Sequence, residues 1–173
     1  SKIYFYPGRE FHAKRYKQSQ RGHVLWYAGG LIDWKNMYAS HRGVDEVDHG
    51  QYDQIEQTQY ITGCSMLVKR EVFEAIGFLD EKFFTYLEDL DYSIRAKQAG
   101  FDLWYVPQSI LWHKNAGSTG VGSETHQYYM TRNRLLVGFH YAPVRTKLAL
   151  IRESMRTILR GPAIRRKAVI DAM

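Results

Sequence analysis

Apolar residues along the chain fall into short dense runs and longer periodic stretches. Residues 2 to 6 (Lys-Ile-Tyr-Phe-Tyr) predict a strand that Pro7-Gly8 ends. A polar, basic stretch without clear period follows from Arg9 to Gly22. Residues 23 to 28 predict a second strand, stopped at Gly29-Gly30. From Leu31 to Gln57 no apolar repeat is sustained and Gly, Asp and His are frequent, so this stretch predicts a loop. A loop of that length in a compact domain is usually functional or disordered. Residues 59 to 68 form a nearly continuous apolar run around Gly63 and predict the strongest strand, buried on both faces.

The second half reads more regularly. A short helix is expected over residues 69 to 76, closed by Gly77, followed by an aromatic loop from Phe78 to Tyr86. Residues 88 to 99 predict a helix with acids in its first turn and Gly100 as its stop. Residues 101 to 106 and 109 to 112 are strand-like, separated by Pro107. Helices are expected over 123 to 139 and 143 to 159, the latter ended by Gly161-Pro162. Alternating strands and helices predict an α/β fold with a mostly parallel sheet and flanking helices.

Composition narrows the class. A chain of 173 residues can bury the core of one domain, or most of one. Its single cysteine, Cys64, excludes an intrachain disulfide framework and a multi-cysteine zinc site, and points to a reducing, cytoplasmic setting. No apolar run reaches bilayer-spanning length and no signal peptide opens the chain. The start at Ser1, directly in a strand-like segment, reads as a piece of something longer. Thirteen tyrosines and four tryptophans suit stacking on sugar rings, or simply a core, to which Trp104 and Trp112 are assigned.

The net charge of +6 is carried entirely by the tail: from Tyr141 onward eight basic residues face only Glu153 and Asp171. The first 140 residues are neutral, which argues against a nucleic-acid partner. Two units follow, residues 1–140 and a basic amphipathic tail, 141–173. Val144, Leu148, Ile151, Met155 and Ile158 recur every three or four residues with arginines around them. That pattern suits either an anionic membrane surface, giving peripheral attachment on its inner face, or packing on the chain's own domain with a wet basic face.

The candidate chemistry lies in one ordered set: Gly63-Cys64-Ser65-Met66-Leu67-Val68, then Gly77-Phe78-Leu79-Asp80-Glu81-Lys82-Phe83-Phe84, then Glu88-Asp89-Leu90-Asp91 with Arg95, then Trp112-His113, and a later Arg132-Asn133 after paired tyrosines. Singly, each piece has an ordinary reading. Acids opening a helix are dipole partners, Asp91 and Arg95 are an intrahelical pair, and a lone histidine after a strand is commonly structural. As a set, over roughly residues 20 to 135, they resemble the C-terminal, acceptor-side half of the GT-A fold in glycosyltransferase family 2, rhamnosyltransferase-like members in particular.

The resemblance implies a partial GT-A fold whose N-terminal nucleotide-binding half is missing. It implies an inverting sugar transfer from a nucleotide-diphosphate sugar donor to a saccharide or polyprenyl-diphosphate-linked acceptor. It places Asp89 as the general base with Glu88 beside it in the catalytic pair, Glu88 and Asp91 supporting the helix start and Asp91 bordering the substrate. His113 matches a ligand of a divalent metal, Mn or Mg, shared with an Asp-x-Asp motif in the missing half. Asp89-Leu90-Asp91 is itself Asp-x-Asp, but it opens a helix after an aromatic loop and reads as the base motif. Asp45 and Asp48 are loop carboxylates with no supporting pattern. Gly29 and Gly30 sit where the family's backbone approaches the sugar, or form a plain turn. Gly63 and Cys64 lie near the donor sugar in relatives, or merely pack closely. His41, Arg42 and Gly43 are candidates for an acceptor loop. Arg132, with Asn133, is placed to pair with a diphosphate, or is a solvated helix residue. Two other function classes remain open at this stage: a non-catalytic carbohydrate-binding module, and a basic membrane- or nucleic-acid-binding protein resting on the tail alone.

Overall fold

The computed structural model describes residues 1–114 and 122–173. A three-stranded sheet is centred on β1 (Lys2–Phe5), which pairs antiparallel with β2 (Leu25–Tyr27). β3 (Gly30–Asp33) and β4 (Tyr38–His41) form an antiparallel hairpin. A two-residue strand β5 (Glu56–Gln57) pairs antiparallel with β6 (Trp104–Tyr105). β7 (Ile110–His113) completes the central sheet as the parallel neighbour of β1. Among the described residues only that one pairing is parallel, so the expected mostly parallel sheet is corrected to a small mixed one.

Three further sequence expectations are corrected. The apolar run at 59–68 is no ladder strand. Its residues alternate, with Thr58, Tyr60 and Thr62 buried and Gln59 and Gly63 exposed, so one face is buried rather than two. Beyond Gln59, whose N–H donates to Gly30 O of β3 at 3.1 Å, backbone groups of the run find side chains. Ile61 N–H donates to Ser93 Oγ at 3.0 Å, Gly63 N–H donates to Asp89 Oδ2 at 2.8 Å, and Tyr60 C=O accepts from Tyr27 Oη at 2.8 Å. The expected loop at 31–57 contains the β3–β4 hairpin, turned by Asp33, whose Oδ1 accepts from Lys35 N at 3.0 Å and Asn36 N at 3.1 Å. Trp104 and Trp112 are half-exposed rather than core; the residues flanking Trp104, Leu103 and Tyr105, are buried instead.

The helices fall close to expectation. α1 (Arg70–Ile76) packs on α2 (Glu88–Gln98) through Val72, Tyr92 and Ala96. α3 (Glu124–Tyr141) begins at Ser123, whose hydroxyl accepts from His126 N. α4 (Val144–Arg160) and α5 (Ala163–Ile170) fold back on α3. Residues 141–173 share one core with the rest: Leu150 and Val169 pack with Leu90 and Ile94 of α2, Leu135 and Val137 of α3, and Met37 of the hairpin turn. Arg134 ties the layers together, donating to Met37 O and Asn36 O and pairing with Glu153 of α4 at 2.7 Å.

The entry to α2 is unusual. Phe84, Tyr86 and Leu87 all take positive φ (60°, 66° and 67°), and Leu87 is the helix's N-cap. A left-handed non-glycine residue is unfavourable and persists only where the surroundings impose it. Here Asn133, fully buried on α3, imposes it. Its Nδ2 donates to the carbonyls of Phe83 (2.9 Å), Thr85 (2.8 Å) and Tyr86 (2.8 Å). Arg132 adds a bond to Lys82 O at 2.8 Å and orients Asn133 through its Oδ1 at 2.9 Å.

Asn133→Leu keeps the volume and removes the donor, leaving three carbonyls without their partner. Urea unfolding should show a loss on the order of 3 kcal/mol, since a buried group stripped of its hydrogen bond carries its full desolvation cost. A loss under about 0.5 kcal/mol, the scale of an ordinary surface change, would mean the loop holds itself.

Candidate functional site

Helix α2 presents its two leading acids to the bend at Gly63. Glu88 and Asp89 lie in the first helical turn, where the unpaired N–H groups favour negative charge. Asp89 Oδ2 accepts from Gly63 N and its Oδ1 accepts from Leu90 N, both at 2.8 Å. Burial raises its pKa above the ordinary aspartate value, against the lowering effect of these N–H donors and the Thr62 hydroxyl. Glu88 is also raised, by burial first and by the charge of Asp89 last, with its own backbone N–H opposing. Its Oε2 is buried without a hydrogen-bond partner among the described residues. Two adjacent carboxylates with raised proton affinity form a pair suited to proton uptake.

Gly63 faces both acids. A methyl group there would lie 3.5 Å from Asp89 Cβ, 3.7 Å from Asp89 Oδ2 and 3.8 Å from Glu88 Oε1, ordinary contacts. Close packing therefore does not require glycine at this position. Cys64 is exposed, and its thiol pKa is raised by burial of the sulfur's surroundings and then by the charge of Asp89.

His113 ends β7, half-buried, with Nδ1 lacking a hydrogen-bond partner among the described residues. Burial lowers its pKa, favouring the neutral ring, which is the form that ligates a metal. A row of rings runs from it toward Asp89. Its ring centroid is 4.4 Å from Trp26, Trp26 is 4.2 Å from His41, and His41 is 5.2 Å from Tyr27. Asp89 in turn acts electrostatically on Tyr27 and Tyr60. A bulge makes this row possible. Ile3 pairs with Tyr27 and Tyr4 with Leu25, so Trp26 is the extra residue in β2. His41 is the most perturbed member: burial pushes its pKa down to about 4, against the carbonyl of Trp26 that bonds Nδ1 at 3.0 Å.

Among the described residues no three His, Cys, Asp or Glu side chains form a metal-ligand group. An orphaned imidazole nitrogen on a neutral ring fits one ligand position, and the rest of such a site would have to come from elsewhere.

Several sequence-predicted residues serve the scaffold. Asp91 is buried with both oxygens engaged, Oδ2 by Arg95 Nε at 2.8 Å and Oδ1 by Tyr141 Oη at 2.6 Å. Arg95 goes on to cap the carbonyls of Ile76 and Phe78. This gives Asp91 the helix-supporting part of its expected role. Arg132 and Asn133 hold the aromatic loop, as described above. Gly30 cannot carry a side chain, since a Cβ would fall 2.3 Å from the Tyr60 ring. Gly29, at φ 114°, makes the turn before it. Arg42 joins Ala28 O at 2.7 Å to Glu56 at 2.5 Å, and Gly43 abuts Tyr52. Asp48 is a buried partner of Lys2 at 2.7 Å, and Asp45 lies 3.7 Å from His12. The features absent from the sequence reading are Trp26, Tyr27, Tyr60 and the clamp by Asn133. Trp26 and Tyr27 were signalled only as aromatics shortly before Gly29-Gly30, Tyr60 only as part of an apolar run, and Asn133 only as half of the Arg-Asn pair.

Comparison with known proteins gives this geometry its context. Residues 13–134 match the family described as glycosyltransferase like family 2. The chain is 37% identical over 67 residues to N-acetylglucosaminyl-diphospho-decaprenol L-rhamnosyltransferase of Mycobacterium tuberculosis, covering 39% of this chain and 22% of that protein. It is 26% identical over 88 residues to the low-salt glycan biosynthesis hexosyltransferase Agl10 of Haloferax volcanii, covering 50% of this chain and 29% of that protein. The chain thus spans about a quarter of the length of these relatives. No solved structure matches it. With the match extending over more than two thirds of its residues, the chain belongs to glycosyltransferase family 2.

Proposed function

We propose that the protein containing this chain transfers a sugar from a nucleotide-diphosphate sugar to a hydroxyl acceptor with inversion, and that Asp89 is the general base. The observation carrying the proposal is a carboxylate of raised proton affinity, held at a helix start against the Gly63 backbone. In the step, the acceptor oxygen forms a bond to the anomeric carbon as the bond from that carbon to the diphosphate oxygen breaks. The electron pair leaves with the nucleotide diphosphate, and the acceptor proton passes to Asp89. Glu88, with an unsatisfied oxygen beside Asp89, orients the acceptor or donor hydroxyls and keeps the base's affinity high. Gly63 and Cys64 border the sugar. Asp91, Arg132 and Asn133 act on substrate through the scaffold that sets α2.

A divalent cation, Mn or Mg, fits His113 as one ligand, with the remaining ligands supplied by an Asp-x-Asp motif outside these 173 residues. When bound, it would neutralise the departing diphosphate. The acceptor is read as a saccharide or a lipid-linked diphosphate sugar, in keeping with the name of the mycobacterial relative.

Three outcomes follow for the full-length protein. Asp89→Asn should lower kcat by about 10²- to 10⁴-fold, the usual contribution of a positioned base, with the far-ultraviolet circular dichroism unchanged. Turnover at the wild-type rate would remove Asp89 from the mechanism. A raised pKa means that the folded protein holds this proton more tightly than a free aspartate does. Activity should therefore fall on acidification at a pH above the ordinary carboxylate range, and a rate profile still flat down to about pH 4, the free aspartate value, would contradict the burial. Gly63→Ala should leave stability within about 0.5 kcal/mol while placing a methyl beside the base. Transfer should drop with the melting temperature preserved; equal loss of both would make Gly63 a packing residue.

A further inference from the structure

Helix α4 is mounted with its apolar side outward. The residues it buries are Thr146, Leu150 and Ser154. Thr146 Oγ1 donates to the carbonyls of Trp34 (3.0 Å) and Lys35 (3.3 Å) at the hairpin turn, and Leu150 enters the shared core. The exposed side carries Val144, Leu148, Ile151, Met155, Ile158 and Leu159, with Val144 at 73%, Leu148 at 62% and Leu159 at 76% of full exposure. At the helical repeat these six fall within about 100° of arc, a continuous stripe over more than four turns. Ile170 and Met173, also exposed, extend the apolar surface at the end of α5. An open cleft of about 400 Å³ lies between α4 and α5, lined by Ile158, Ala163, Arg166, Lys167, Ile170 and Asp171.

The charges around this stripe indicate what covers it. Arg145, Arg152 and Arg156 follow one edge of the stripe and Lys147 lies on the other, while Arg160 ends α4 and Arg165, Arg166 and Lys167 continue on α5. The only two acids of the segment are occupied: Glu153 by Arg134 at 2.7 Å, and Asp171 by Tyr128 Oη at 2.5 Å. Glu153 is thus offset by a cation, while Asp171 keeps its charge beside Arg166 and Lys167, so the rim is predominantly basic. A second copy meeting this face on its own would press like charges together, which opposes association. A surface both negatively charged and apolar beneath satisfies stripe and rim at once. Among the described residues no helix is long and apolar enough to cross a membrane, so such a contact would be parallel to the surface.

We infer that the outward face of α4, continued by α5, is a docking surface for the headgroup layer of an anionic lipid bilayer. The apolar stripe enters the acyl boundary and the arginines meet lipid phosphates. Because Leu150 and Val169 share a core with Leu90 and Ile94, docking fixes α2 relative to the membrane. The inference goes beyond the proposed transfer reaction and needs neither donor nor metal.

The test is sedimentation of the full-length protein, and of residues 1–173, with vesicles of phosphatidylcholine alone or mixed with phosphatidylglycerol. Binding should require phosphatidylglycerol and weaken with salt. Leu148→Glu with Met155→Glu should weaken it on the order of a hundredfold, since two buried apolar side chains are replaced by charges. Arg152→Glu with Arg156→Glu should weaken it by about thirtyfold or more, from the usual contribution of each basic residue at an anionic surface. All these positions are exposed, so circular dichroism should be unchanged. Asp89→Asn should bind as the unaltered protein does, which separates this inference from the transfer reading. Equal binding to neutral vesicles or none to either composition would overturn the inference. So would a dimer that Leu148→Glu dissolves, or vesicle binding by residues 1–173 that the full-length protein lacks.

Discussion

One amide nitrogen determines where the two carboxylates sit. Asn133 Nδ2 gathers three carbonyls from the loop that enters α2, and that loop turns left-handed at three non-glycine residues to reach them. Left-handed φ at Phe84, Tyr86 and Leu87 would relax without an external constraint, moving Glu88 and Asp89 with it. The constraint comes from α3, whose next residue, Arg134, ties it to the hairpin turn and to α4. Helix, loop and hairpin thus converge on one helix start. Asp91 and Tyr141 close the same arrangement from the other side, through a 2.6 Å hydrogen bond.

Legibility in the sequence followed the range of the signal. Helices α1 to α4 were readable because their periodicity and the stops at Gly77, Gly100 and Gly161-Pro162 are local. The pair Glu88-Asp89 was readable because motif order and helix-start chemistry agree. The segment at 59–68 misled because apolar content signals burial but not the partner: its N–H groups are taken by Ser93 and Asp89, about thirty residues away. The β3–β4 hairpin was hidden by strands of only four residues around a turn formed by Asp33. The bulge at Trp26 and the row His113–Trp26–His41–Tyr27 depend on register between distant strands, which no local pattern encodes. Arg132 and Asn133 drew notice as a motif, yet only the fold separates a group that touches substrate from one that shapes the loop beside it.

Electrostatics divide the molecule by function. At the Gly63 bend, buried carboxylates are disfavoured as anions and supported by backbone N–H groups, a balance that suits proton uptake. Along the aromatic row, burial keeps His41 and His113 neutral. Over α4 and α5, the chain's whole excess of positive charge lies around an apolar stripe that the fold leaves uncovered among the described residues. The shared core of Leu90, Ile94, Leu135, Leu150 and Val169 joins the first region rigidly to the third.

The most direct examination of the central claim is a crystal structure of the intact protein with a divalent cation, an unreactive nucleotide-sugar analogue and an acceptor. The account requires an Asp89 carboxylate oxygen within roughly 2.6–3.2 Å of the acceptor hydroxyl, with Gly63 beside the sugar. Sugars seated elsewhere, with the aspartate still turned only toward the backbone amides of residues 63 and 90, would contradict it.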